Sequence, residues 1–171
     1  MKIKFSPDIA YFTGLWKTRK ICEGVGISGD TEAQQIFVSE AIKTLGISPE
    51  KIQVKEDKVY FYHSAYRKYL QNVVEDELET FKWSNAFSRK FVCGLFDGCG
   101  GVDMEKGTVY FARVTDADQL VMERLGLTTR RVGSRLYITA RLVPTFGKLM
   151  LSCMKRGELR SRLETLLKRS A

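Results

Sequence analysis

A glycine inside a helix costs about 1 kcal/mol relative to alanine, and this chain places one where an apolar helix should be strongest. Phe91-Val92-Cys93-Gly94-Leu95-Phe96-Asp97-Gly98-Cys99-Gly100-Gly101-Val102-Asp103 reads as the last turns of a helix that stops in a glycine-rich turn and leaves as a strand, with Ser88 at its cap or first turn. Gly94 is tolerated mid-helix when another backbone must come very close. The run Gly98 to Gly101 is expected to supply positive φ angles for a sharp exit. The same setting occurs earlier as Tyr11-Phe12-Thr13-Gly14-Leu15-Trp16-Lys17. Gly14 and Gly94 are separated by 80 residues, and so are the glycines of Leu45-Gly46-Ile47 and Leu125-Gly126-Leu127. One offset at two anchors indicates an internal duplication of about half the chain.

Val92 to Gly100 (V-C-G-L-F-D-G-C-G) resembles the nine-letter signature of the LAGLIDADG homing endonucleases, and Phe12 to Lys20 (F-T-G-L-W-K-T-R-K) resembles a weaker copy. The spacing is similar to a single-chain member with two motifs, so the resemblance spans nearly the whole chain. It implies an α+β fold of two αββαββα halves, with saddle-shaped antiparallel sheets and two central motif helices. The first half would be residues 1–83, with a shortened sheet, and the second residues 84–171, together one compact unit. It further implies that Gly14 and Gly94 let the helices touch. Lys17 and Asp97, both at the sixth letter, would lie at that interface, either paired across it or held separately. In the family, the acid at each eighth letter binds a divalent metal beside DNA.

Both eighth letters depart from that pattern, being Arg19 and Cys99. Magnesium takes hard oxygen ligands, which neither a guanidinium nor a thiol supplies. No cofactor is therefore expected, and no metal-binding or catalytic residue. Glu23, four residues late in Cys22-Glu23-Gly24-Val25-Gly26-Ile27, would restore one carboxylate, with Asp97 or Asp103 as the other candidate acid.

Charge points to the partner. Residues 1–85 carry 12 Lys+Arg against 12 Asp+Glu, whereas residues 86–171 carry 16 against 8, so the second half holds the whole net charge of +8. Such an excess suits a polyanion. The arginines Arg113, Arg130, Arg131, Arg135 and Arg141 fall on expected strands of the second half, with Lys55 and Lys58 as thinner counterparts in the first. Alternation places Arg135, Tyr137 and Thr139 on one face, with Leu136, Ile138 and Ala140 on the other.

In chain order the pattern predicts a helix from Pro7 to about Lys20 capped by Ser6, a strand from Ile21 to Ile27, and a helix from Asp30 to Leu45 closed by Gly46. A hairpin turning at Glu56-Asp57 follows, then a helix over Ala65 to Val74 and a structured connector from Asp76 to Trp83. The second half adds a hairpin turning at Lys106-Gly107, a helix capped by Asp116, a hairpin turning at Gly133-Ser134, a helix from Pro144 to about Lys155, and a last helix after Gly157. The strand corresponding to Thr108–Val114 is expected to be lost or shortened in the first half.

Tyr60-Phe61-Tyr62-His63 with Tyr66 is read as packing across a hairpin and helix, and the lone His63 as a hydrogen-bonding residue. Cys22, Cys93, Cys99 and Cys153 form no C-x-x-C pair and read as reduced thiols of an intracellular protein. No run approaches the ~20 apolar residues of a membrane span. The sequence therefore points to a cytoplasmic, nucleic-acid-associated monomer that binds duplex DNA without cutting it. A magnesium-dependent endonuclease and an RNA-binding, maturase-like protein are the alternatives.

Overall fold

The computed structural model describes residues 2–170; Met1 and Ala171, the outer ends of the two halves, lie outside the described residues. Helix α1 (Pro7–Arg19) starts on Ser6, whose Oγ accepts from Ile9 N at 3.2 Å, with proline in the first turn. After a tight turn come β1 (Val25–Ser28) and α2 (Thr31–Leu45). Asp30 caps α2 by accepting from Ala33 N, and Gly46 ends it at φ 66°, the left-handed conformation that favours glycine. The hairpin β2 (Gln53–Val54) and β3 (Lys58–Phe61) leads into α3 (Ser64–Glu75). The first-half sheet runs β1-β3-β2, all antiparallel.

The connector is ordered, as α4 (Glu77–Thr80), and it buries Glu77. Helix α5 (Ala86–Cys99) is capped by Asn85, whose own backbone N–H donates to Ser88 Oγ at 3.1 Å. Next come β4 (Gly100–Asp103), β5 (Thr108–Phe111), α6 (Asp116–Arg124), β6 (Thr129–Val132), β7 (Arg135–Ile138), α7 (Val143–Met150) and α8 (Gly157–Ser170). The second sheet runs β4-β5-β7-β6. Thr115, not Asp116, caps α6, because Asp118 completes a reciprocal pair with it. Arg113 and Arg141 lie beyond the ends of β5 and β7, Arg141 in the 3-10 turn Ala140–Leu142.

The two sheets correct the expectation about the missing strand. In the first, β1 pairs with β3 as β5 pairs with β7, and β2 pairs with β3 as β6 pairs with β7. The counterpart of β5 is therefore present. What has shrunk is the counterpart of β4, reduced to a single bridge between Lys20 and Ile27. The continuous strand expected over Ile21 to Ile27 is that collapsed hairpin.

Helices α1 and α5 lie side by side, backbone against backbone. A Cβ on Gly94 would overlap Tyr11 O and come within 2.9 Å of Leu15 N. One on Gly14 would overlap Phe91 O and come within 2.8 Å of Leu95 N. Further along, Gly98 sits against Thr18. The contact thus advances in the same sense on both helices, which makes the pair parallel and brings their C-terminal ends together. The glycines at the exit do not have positive φ; Gly100 is extended, at φ −79° and ψ 162°. Space is their reason: a Cβ would overlap the Thr18 hydroxyl at Gly98, the Phe96 ring at Gly100 and the Tyr110 ring at Gly101.

Candidate nucleic-acid interface

Strand alternation divides each sheet into a core face and an outer face. Val109, Phe111, Leu136 and Ile138 are buried in the core. The cross-strand row Gly101, Tyr110, Tyr137 and Arg130 then belongs to the other face. There the Arg135 guanidinium lies 4.1 Å over the Tyr110 ring, and Lys106 Nζ lies 4.2 Å over the Tyr137 ring. Tyr137 donates to Asp103 Oδ2 at 3.1 Å and receives Arg135 Nη1 at 3.3 Å. The Lys106 backbone N–H, first, and the Tyr137 hydroxyl hold the Asp103 carboxyl below its ordinary pKa. Asp103 is thus a member of this cation-aromatic face.

Arg131 does not belong with its neighbour. It pairs with Leu136, a core-facing residue, so its side chain leaves from the face opposite to Arg130. It donates to Val114 O at 3.4 Å, 3.9 Å from Asp116. Tyr110 and Lys106 were missed as interface candidates. The alternation Val109-Tyr110-Phe111 was the signal for the tyrosine.

The first-half face is weaker. Tyr60 sits between Lys55 Nζ at 5.8 Å and Lys58 Nζ at 6.0 Å, with Tyr62 beside it. Lys58 is already paired with Glu23 at 2.5 Å, which raises the lysine's pKa and lowers the acid's. His63 caps α3 by accepting from Tyr66 N at 3.2 Å.

At the joined ends of the motif helices, Arg19 donates from Nε to Gly98 O and from Nη1 to Ser28 O at 3.3 Å. Burial, followed by repulsion from Arg156 and Arg113, lowers its pKa. Cys99 is buried, which raises its thiol pKa. Asp97 is also buried, with Oδ2 accepting from the Tyr11 hydroxyl at 2.5 Å and from Lys155 N at 2.8 Å; burial outweighs these bonds and raises its pKa. Lys17 does not meet Asp97. It reaches Glu77 at 2.5 Å and Asp118 at 2.6 Å on another side of α1. Glu23 lies in the collapsed hairpin, engaged by Lys58. A guanidinium and a buried thiol at the helix ends do not fit a magnesium ion, and no group of three His, Cys, Asp or Glu side chains among the described residues could hold a metal.

No protein-family model matches the sequence, and no curated protein does. Solved structures do. A structure of mesophilic variants of the homing endonuclease I-DmoI is 19% identical with a TM-score of 0.66, covering 88% of this chain and 98% of that one. I-DmoI in complex with DNA and Mn is 18% identical at TM-score 0.64, covering 85% and 97%. The complex with DNA and Ca is 18% identical at TM-score 0.64, covering 93% and 97%. Paired motif helices, two antiparallel sheets and this near-complete overlap together give the chain the fold of the single-chain LAGLIDADG homing endonucleases.

Proposed function

We propose that this chain binds duplex DNA as a monomer, through the outer faces of its two sheets, and lacks the metal-dependent nuclease centre associated with its fold. Its halves would derive from a duplication. The observation that carries this reading is the pairing of a cation-aromatic sheet face with a helix junction that has no acid at either eighth-letter position: Arg130, Arg135, Lys106, Tyr110 and Tyr137 on the sheet, Arg19 and Cys99 at the junction. Arginines on strands can grip phosphates or guanine edges. Support also comes from the neighbours of the same fold, which were crystallised with DNA. Among the described residues no helix is long and apolar enough to cross a membrane.

Fluorescence anisotropy with random duplexes and with structured RNA tests the reading. With about four phosphates contacted, affinity for duplex should fall roughly a hundredfold between ~50 and ~200 mM salt. Arg130→Ala with Arg135→Ala should weaken binding about tenfold or more, while Lys55→Ala with Lys58→Ala should change it only a few-fold, since Lys58 is already paired with Glu23. Equal losses from the two halves would contradict the charge asymmetry, and tighter binding to structured RNA would favour the maturase-like alternative.

A separate expectation concerns metal. Calorimetric titration with magnesium or manganese in the absence of DNA should give no saturable heat, and supercoiled plasmid should remain uncut. Tight binding abolished by Glu23→Ala would restore the endonuclease reading.

A further inference from the structure

The junction of the motif helices holds a surplus of positive charge that the protein itself does not neutralise. Arg19 is fixed there by two carbonyls, Gly98 O and Ser28 O. Arg113 is carried to the same place by the backbone, since Ala112 N donates to Cys99 O at 2.9 Å and Arg113 follows directly. Its side chain is exposed and has no hydrogen bond or ion pair among the described residues. The acids nearby are already engaged. Asp30 and Glu32 bind Arg156 at 2.8 and 3.0 Å, and Asp97 is buried against Tyr11. Asp30 attracts Arg19 as well as Arg156, but burial and the repulsion from Arg156 and then Arg113 outweigh it.

We propose that Arg19 and Arg113 form a metal-free phosphodiester clamp at the junction of the motif helices, seating one backbone phosphate of the bound nucleic acid. A phosphate there would meet the planar donor fork of Arg113 and the remaining N–H donors of Arg19, and would remove the repulsion between the two. This inference rests on the nucleic-acid-binding reading and adds to it both a position and an independence from divalent metal.

The test is a duplex anisotropy titration over a salt series, run in EDTA and again in magnesium. The unaltered protein should bind no more tightly in magnesium than in EDTA. Arg113→Gln, which breaks no bond in the fold, should weaken binding about five- to tenfold and make the log–log salt slope shallower by about 0.9. Arg113→Lys should recover the slope while recovering only part of the affinity, because an ammonium cannot form the fork. Arg19→Lys, which keeps the charge at the more buried position, should lose affinity with its salt slope retained. Millimolar inorganic phosphate should compete more weakly against the Arg113→Gln protein than against the unaltered one. If Arg113→Gln left affinity and slope unchanged while Arg130→Ala with Arg135→Ala abolished binding, the clamp would be wrong and the sheet-face reading would stand. Affinity gained only with magnesium would also overturn the clamp. Failure of the unaltered protein to bind duplex at all would overturn both.

Discussion

Gly94→Ala is expected to lower the thermal midpoint by roughly 2–12 °C. The added methyl would overlap Tyr11 O and approach Leu15 N, both backbone atoms held in the ladder of α1. No rotamer relieves such a contact, so the helices must part. Overpacking of this kind costs typically ~1–3 kcal/mol and sometimes more, and in a chain of this size each kcal/mol shifts the midpoint by about 2–4 °C. Helix propensity acts in the opposite direction, by at most ~1 kcal/mol, so the sign is set by the contact. Gly14→Ala should behave alike, because its methyl would meet Phe91 O and Leu95 N. The double variant should lose less than the sum, since helices already parted by one methyl leave room for the other. Circular dichroism melts of the three proteins decide the matter. A raised midpoint for Gly94→Ala would remove the backbone contact and the helix pairing built on it.

That contact was legible in the sequence because only glycine satisfies it; an unexplained glycine mid-helix, repeated at one spacing, leaves few alternatives. Other features were hidden for identifiable reasons. Arg130 and Arg131 were grouped by charge, although adjacent strand residues must face opposite ways. Ile21 to Ile27 is apolar at both ends and read as one strand, yet Gly24 adopts a positive φ of 52° and turns it back on itself. The connector between motif helix and second helix gave the clue: residues 20–30 in the first half are five fewer than residues 100–115 in the second. Pseudo-symmetry left open whether Lys17 pairs with Asp97 or each is held separately, and the structure holds them separately. The partners of Lys17, Glu77 and Asp118, come from a connector and from a helix cap, where sequence periodicity has nothing to report. The exit glycines were assigned to backbone angles when side-chain rings decide them, and rings packed from other elements are invisible to a local reading.

The Lys17 cluster predicts that this protein loses stability as pH rises from about 5 to above 8. Lys17, Glu77 and Asp118 are nearly inaccessible, with side chains 11%, 2% and 1% exposed. Two buried carboxylates share one ammonium, so charge balances only when one carboxyl keeps its proton. Burial, followed by Asp118, pushes Glu77 up to about 8 against the opposing pull of Lys17. The ordinary value is 4.5. Between those values the folded chain holds a proton that the unfolded chain releases, so folding takes up a proton. The stability this contributes is complete below about pH 4.5 and is lost as pH climbs through the folded value. Asp97, also raised by burial, adds a slope of the same sign. Glu23, Asp30 and Asp103 are shifted down and act in acid, outside this window. Melts at pH 5.5, 7 and 8.5 should therefore show the midpoint dropping by roughly 5 °C or more. Glu77→Gln fixes the neutral form in nearly the same shape, so its midpoint should vary much less with pH and exceed that of the unaltered protein at pH 8.5. An unaltered protein whose midpoint stays level or rises toward pH 8.5 would show both carboxylates ionised beside the single lysine. A Glu77→Gln protein that kept the full slope would move the responsible proton to Asp97.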